Sequence, residues 1–407
     1  MIRNQRLLFA LLLALAPIAV LAPKGTVVVL ALGIAITLLG RPLRASLRAL
    51  ARPPWPLLVA ALMLWSLASL AWTLEPAAAF SVWLRMLWIM AGGVFLLAGL
   101  EDIDEAAARR LQGAVAIFGA LFVALLLGEV VSDGVLTRLV RLGRLEPPYS
   151  DDYLARSAAL LAIFAWPAAL ALWRRAGAYT ALGFVALVLA LLYLLPMAAA
   201  LVAFVAAAVV LAAATRWPRA TLWLVGAGLV MAIVAMPLVF LWGEPLTVAE
   251  GAVPGLPSSW RHRLAIWQFV AERVAEKPLT GWGLDASRQL PGAGGSIYGR
   301  HGLLPLHPHN AVMQVWVELG LPGAVLASAL VVLVLGRVRR AAAQPHLTAV
   351  RLAVFVSFAA IALTSYGVWQ NWWLATGWLA ALVTALATGA GPRAPAPDRP
   401  RAEAPIA

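Results

Sequence analysis

The sequence predicts an all-α integral membrane protein of about 12 transmembrane helices with one large outward loop. Three observations point there. Hydrophobic residues make up 63% of the 407 and charged residues only 12%, where soluble domains carry about 25% charged. Apolar runs of roughly 20 residues, enough to cross a bilayer, recur along the chain. The 18 tryptophans suit the interfacial belt between hydrocarbon and water.

The runs fall near 7–23, 25–40, 55–73, 84–100, 113–132, 155–173, 177–194, 196–215, 221–242, 309–336, 348–366 and 370–389. The first two are so close that they read as a helical hairpin. Arg3 and Arg6 before the first run resemble a signal peptide, but the immediate second run favours an uncleaved helix. The least defined boundary is Leu194-Leu195-Pro196. Residues 1–242 form an N-terminal bundle of about nine spans with an outward loop at 133–154. Residues 243–308 form the large outward loop, 309–390 about three further spans, and the Pro- and Ala-rich 391–407 a disordered tail.

Basic residues orient the bundle. Of the 31 Lys and Arg, 19 lie at the termini and around the even-numbered gaps, among them Arg41, Arg44, Arg109, Arg174, Arg216 and Arg337. Short basic loops stay in the cytoplasm, which places both termini there and the two longer segments toward a periplasm. The net charge of +13 is scattered between apolar runs, so it reports topology and not nucleic-acid binding. The absence of cysteine excludes disulfides and thiolate metal sites.

The large loop opens with Pro and Gly and then turns helical. Ser258 or Ser259 can cap a helix over 260–276. Trp260, Leu264, Trp267, Ala271 and Val274 make one apolar stripe, suited to the membrane surface. Lys277-Pro278 ends it, and Gly281 and Gly283 punctuate the following turn. Arg261 and Arg263 at the helix start are either solvated side chains or, with the free N–H groups there, an anion site. The 133–154 loop adds Arg138, Arg141 and Arg144. Arg156 enters the next span with Asp152 four residues before it as an intrahelical partner.

"LHPHNAVMQVWVELGLPG" (306–323) follows. His307 and His309 have a metal-compatible spacing, and Asp285 or His301 could complete a site, but no H-E-x-x-H or cysteine supports it, so no metal is expected. His309 reads as the first turn of a helix, where the dipole disfavours imidazolium and leaves the neutral form a general base needs. Asn310, Gln314 and Glu318 are four apart and make a polar stripe on an apolar helix. Gly320, Pro322 and Gly323 permit a break.

His309-Asn310, nine residues, Gly320, two residues and Gly323 resemble the H-[NSQ]-x9-G-x-x-[GTY] pattern of bacterial O-antigen ligases. With Arg261 or Arg263, Trp267, Pro278, Gly281 and Gly283, the stretch 260–323 is similar to the wider ligase and polymerase superfamily. The earlier loop has Arg141 or Arg144 in a comparable place, with Asp151-Asp152 where the family carries amides. The resemblance implies a GT-C-like glycosyltransferase without cofactors, in the inner membrane. Its donor would be a glycan on undecaprenyl pyrophosphate and its acceptor a sugar hydroxyl of lipid A–core at the periplasmic face, both met among membrane lipids. It implies a metal-independent, inverting transfer with His309 as base and Arg261, Arg263, Arg144 or Arg141 on the pyrophosphate. Asn310, Gln314, Glu318, Trp267, His307, Gly320 and Gly323 support the site. An O-antigen polymerase or a protein O-oligosaccharyltransferase would share this donor chemistry. A transporter is the non-enzyme alternative, and the concentration of polar groups on one side argues against it.

Overall fold

The computed structural model describes residues 2–40, 55–140, 152–243, 258–297, 301–304, 306–340 and 344–389. The helices are α1 (Ile2–Leu21), α2 (Thr26–Gly40), α3 (Trp55–Ala68), α4 (Pro76–Ala98), α5 (Glu105–Val131), α6 (Val135–Val140) and α7 (Asp152–Ala176). They continue as α8 (Ala178–Leu194), α9 (Ala198–Arg216), α10 (Pro218–Trp242), α11 (Ser258–Glu276), α12 (Ala311–Arg340), α13 (Pro345–Ala362) and α14 (Asn371–Thr388). A two-stranded antiparallel ribbon joins Ser296–Ile297 to His301–Gly302. Arg141, Arg144, Asp151, the Arg41–Arg52 loop, the loop start 244–257 and the tail 391–407 lie outside the described residues, as do the side chain of Asp152 and its expected pairing with Arg156.

Among the described residues, eight helices are long and apolar enough to cross a bilayer: α1, α4, α5, α7, α9, α10, α12 and α13. The chain is a multi-pass membrane protein. The other four expected spans coincide with α2, α3, α8 and α14. The first three have 15, 14 and 17 residues, reaching only about 21–26 Å against a hydrocarbon core of about 30 Å. In α14, Asn371 and three tryptophans lower the hydropathy of an 18-residue helix.

The core forms around α7. Between Ala158 and Trp173 its sequence is apolar on every face, the pattern of a helix enclosed by others, and 89% of its apolar window is buried, against 17% for α10. α9 buries Ala199, Ala200, Ala203 and Ala207 and packs most extensively on α13; such small residues let two backbones approach closely. At that junction Trp166 stacks on Phe204 at 4.4 Å and donates to Ser357 Oγ at 3.1 Å. α1 and α2 pack as the expected hairpin through a tight turn at Pro23–Gly25.

α12 is broken at Gly320, where φ is 61° and ψ −156°, a region open essentially to glycine alone. Pro322 removes one helical donor and clashes with the carbonyl four residues earlier. The carbonyls of 317–319 thereby lose their helical partners, and these three residues are buried in protein, out of reach of water. A turn over 278–284 supplies the replacements. Trp282 N–H donates to Val317 O and Gly283 N–H to Glu318 O, both at 2.8 Å. The Trp65 indole donates to Leu319 O at 2.8 Å, and Leu321 N–H to Pro278 O at 2.9 Å. The close approach explains the glycines: a Cβ on Gly281 would lie 2.5 Å from the Glu318 carbonyl, and one on Gly320 2.6 Å from Gly281 N.

α11 spans the expected segment but not as a surface helix. Its stripe residues Trp267, Ala271 and Val274, with Ile266 and Val270, are buried among Phe240, Met313 and Val317. Protein, not lipid headgroups, covers this face, because α10 and α12 offer a complementary apolar groove.

Gly320→Ala and Gly281→Ala are expected to destabilise the folded protein by about 3 kcal/mol each, from strain and overlap. Gly336→Ala, with no atom near its new methyl, should change stability by less than about 1 kcal/mol. Thermal unfolding of the purified variants in detergent checks both.

Candidate functional site

Asn310 caps α12. Its Oδ1 accepts from Val312 N–H at 3.0 Å and Met313 N–H at 3.1 Å, the bonding an N-cap provides. Its amide meanwhile donates to Met236 Sδ. His309 therefore stands one residue outside the expected first turn, with a left-handed φ of 55°. Trp267 of α11 anchors the preceding backbone by donating to Pro308 O at 2.8 Å.

The segment between α13 and α14 closes over the histidines. His309 Nδ1 lies 2.6 Å from Ser365 O. A carbonyl only accepts, so Nδ1 carries the proton and the neutral ring keeps its lone pair on Nε2. The His307 and His309 rings are 4.3 Å apart. His307 Nδ1 faces the His309 N–H at 3.2 Å and its Nε2 faces the Gln370 amide at 2.9 Å. The Gln370 carbonyl oxygen is occupied by the Trp372 indole at 2.7 Å, which turns the amide NH2 toward His307. An imidazolium would set donors against donors at both positions, a neutral ring at only one of them.

Burial, chiefly, lowers the pKa of both rings. Burial holds His309 below the ordinary imidazole range, opposed by the Ser365 carbonyl and helped by Arg263 and His262. His307 is pushed down to about 3, again first by burial and then by His309 and Arg288. The sequence assigned the neutral form of His309 to a helix dipole; desolvation is the leading cause instead. Arg263 is partly buried with its guanidinium 5.5 Å over Trp260. Arg261 shares the first turns of α11 and is also partly buried. Arg141 and Arg144 are not among the described residues.

Glu318 is fully buried, and its carboxylate accepts from four groups. Asp285 N–H donates at 2.7 Å, the Ser287 hydroxyl in a short bond, Gln314 Nε2 at 3.0 Å and the Trp369 indole at 2.6 Å. Gln314 also accepts from Val368 N–H at 2.9 Å. The expected polar stripe thus divides: Asn310 caps, while Gln314 and Glu318 form one network. Gly320 and Gly323 lie at the break. Asp285 has its carboxyl 4.0 Å from Arg288 Nε; burial raises its pKa against the pull of Arg288 and Arg85. Among the described residues, no group of three or more His, Asp or Glu is placed to hold a metal ion.

The sequence reading missed Ser365, Trp369, Gln370, Ser287 and Arg288. The signal for the first three was "TSYGVWQN" (364–371), a polar and aromatic cluster in an otherwise apolar C-terminal region.

Residues 183–328, from α8 into α12, match the O-antigen ligase family. A provisionally named polysaccharide ligase of Rickettsia conorii is 31% identical over 288 residues, 68% of each chain. The chain belongs to the O-antigen ligase family. A similarly named protein of Rickettsia bellii is 29% identical over 328 residues, 79% of this chain and 78% of the relative. One from Rickettsia felis is 29% identical over 263 residues, 63% of each. The family match takes in Arg261, Arg263, Trp267, the 278–284 turn and His309 to Gly323, and it stops short of the 363–370 segment.

A lowered pKa keeps His309 neutral down to pH values where a free imidazole is already charged. If neutral His309 is required, the acid limb of kcat/KM should fall below the ordinary value of about 6.5, activity being lost only as pH drops through the depressed value. A pH–rate profile of the purified protein checks this.

Proposed function

We propose that this polysaccharide ligase moves O-antigen glycan from undecaprenyl pyrophosphate to a sugar hydroxyl of lipid A–core, at the periplasmic face of the bacterial inner membrane, with both termini in the cytoplasm. The observation that carries the reading is His309: a partly buried, neutral imidazole whose Nδ1 is committed to Ser365 O, with Arg263 close enough to act on it. The acceptor oxygen forms a bond to the anomeric carbon as the bond from that carbon to the pyrophosphate oxygen breaks. His309 Nε2 takes the hydroxyl proton. The departing pyrophosphate carries the electron pair, and its negative charge goes to Arg261 and Arg263, with Arg141 or Arg144 as further cations from the other outward loop. Pyrophosphate leaves readily, so no acid is needed at that oxygen. One displacement inverts the anomeric centre. The transfer is metal-independent in this reading, and the architecture is GT-C-like.

His309→Ala should lower transfer by about 10²- to 10⁴-fold with unchanged membrane insertion, measured with purified protein and a lipid-linked oligosaccharide. Full activity would remove the base assignment. Arg263→Ala should raise the donor KM and lower kcat together. EDTA should leave the rate unchanged, and loss of activity restored by a divalent ion would overturn the metal-free scheme. Lipid A–core, a second lipid-linked glycan and a pilin offered in parallel distinguish ligase, polymerase and protein O-oligosaccharyltransferase.

A further inference from the structure

The segment joining α13 to α14 meets the histidine region at four points. Ser365 O holds His309 Nδ1, Val368 N–H donates to Gln314 Oε1, the Trp369 indole donates to Glu318 Oε2, and Gln370 faces His307. It fits so closely that a Cβ on Gly367 would lie 2.9 Å from the His307 ring. Two of these contacts end on Gln314 and Glu318, which are bonded to each other at 3.0 Å. Glu318 is bonded in turn to Asp285 N–H and the Ser287 hydroxyl of the outward loop. One buried carboxylate therefore ties together the outward loop, α12 and the 363–370 segment. Neither Glu318 nor Gln314 is hydrogen-bonded to His309; their connection to it runs through the segment that carries Ser365.

We propose that Glu318 and Gln314 are positioning residues: through the 363–370 segment they hold the Ser365 carbonyl against His309 Nδ1 and so fix Nε2 as the free acceptor. The inference rests on His309 being the base. It follows from the geometry of that ring. A histidine with a left-handed backbone, ahead of its helix, has no helical turn to fix its orientation, and its tautomer depends on the partner at Nδ1. That partner is a main-chain oxygen whose place is set by the bonds of its neighbours. Glu318→Gln replaces an acceptor oxygen with an NH2 group in a site where all the surrounding groups are donors. Trp369→Phe removes a single bond while keeping the ring bulk.

The test is a set of pH–rate profiles for the full-length protein in nanodiscs, with undecaprenyl-pyrophosphate-linked oligosaccharide as donor and lipid A–core as acceptor. Wild type, Glu318→Gln, Trp369→Phe and His309→Ala are compared. Both positioning variants should lose kcat by about tenfold to a hundredfold, as expected when an imidazole tautomer is no longer held. The donor KM should stay within about threefold, since uniform binding is untouched. The acid limb should move to lower pH, because the imidazolium loses the carbonyl that favours it. If Glu318→Gln does not reach the membrane folded, Trp369→Phe carries the test. Wild-type kcat and acid limb in the folded variants would overturn the proposal. So would a fall in kcat with the acid limb unmoved, the mark of a merely structural role. An inactive His309→Ala beside such variants removes the positioning role alone; an active one removes the base reading and this inference with it.

Discussion

The break in α12 organises everything near the histidines. A helix that crosses hydrocarbon must satisfy each backbone group internally, and Gly320 with Pro322 makes that impossible for the carbonyls of 317–319. The N–H groups of Trp282 and Gly283 and the Trp65 indole fill the gap. That substitution draws the 278–284 turn against the helix. The following residues, Asp285 and Ser287, then reach the Glu318 carboxylate. Trp369, on the segment between α13 and α14, meets the same carboxylate, which brings Ser365 to His309. Without the break, Glu318 would lie in a continuous span with a charge to hide; with it, the carboxylate joins three segments.

Much of this was legible in the sequence where the cause was local. The apolar runs located the helices, Lys277-Pro278 ended α11, and Gly320, Pro322 and Gly323 announced the break; Ser258 and Ser259, expected as caps of a helix from Trp260, lie inside α11. The His309-Asn310 motif pointed to the candidate site. What escaped depended on contacts across the chain. The partners of Glu318, His309 and His307 in the 363–370 segment lie 51 to 63 residues away, and no spacing rule reaches that far. Two local readings also shifted. Asn310 took the capping role and left His309 outside the helix. The tryptophan stripe of α11, equally suited to lipid headgroups, found a groove between α10 and α12. Length was the other gap: a hydropathy window runs across turns, so α3 and its following turn read as one span although the α-helix itself has 14 residues.

The electrostatics carry one further consequence. Arg263 places positive charge near His309 and Arg288 near His307, and burial acts in the same direction. In the proposed function Arg263 serves twice. It meets an anionic pyrophosphate, and it keeps the neighbouring imidazole of His309 neutral, the state in which it can take a proton. This arginine and the base thus favour one another's working forms, an arrangement that a site with an acidic residue in direct contact with His309 would not have.

The proposed transfer is a single displacement with His309 as base and pyrophosphate as leaving group. The decisive measurement is the anomeric configuration of the new glycosidic bond, determined by NMR on product made by the purified protein from a donor of known configuration. Complete inversion is expected. Retention would require a covalent or doubly displaced intermediate and would contradict it.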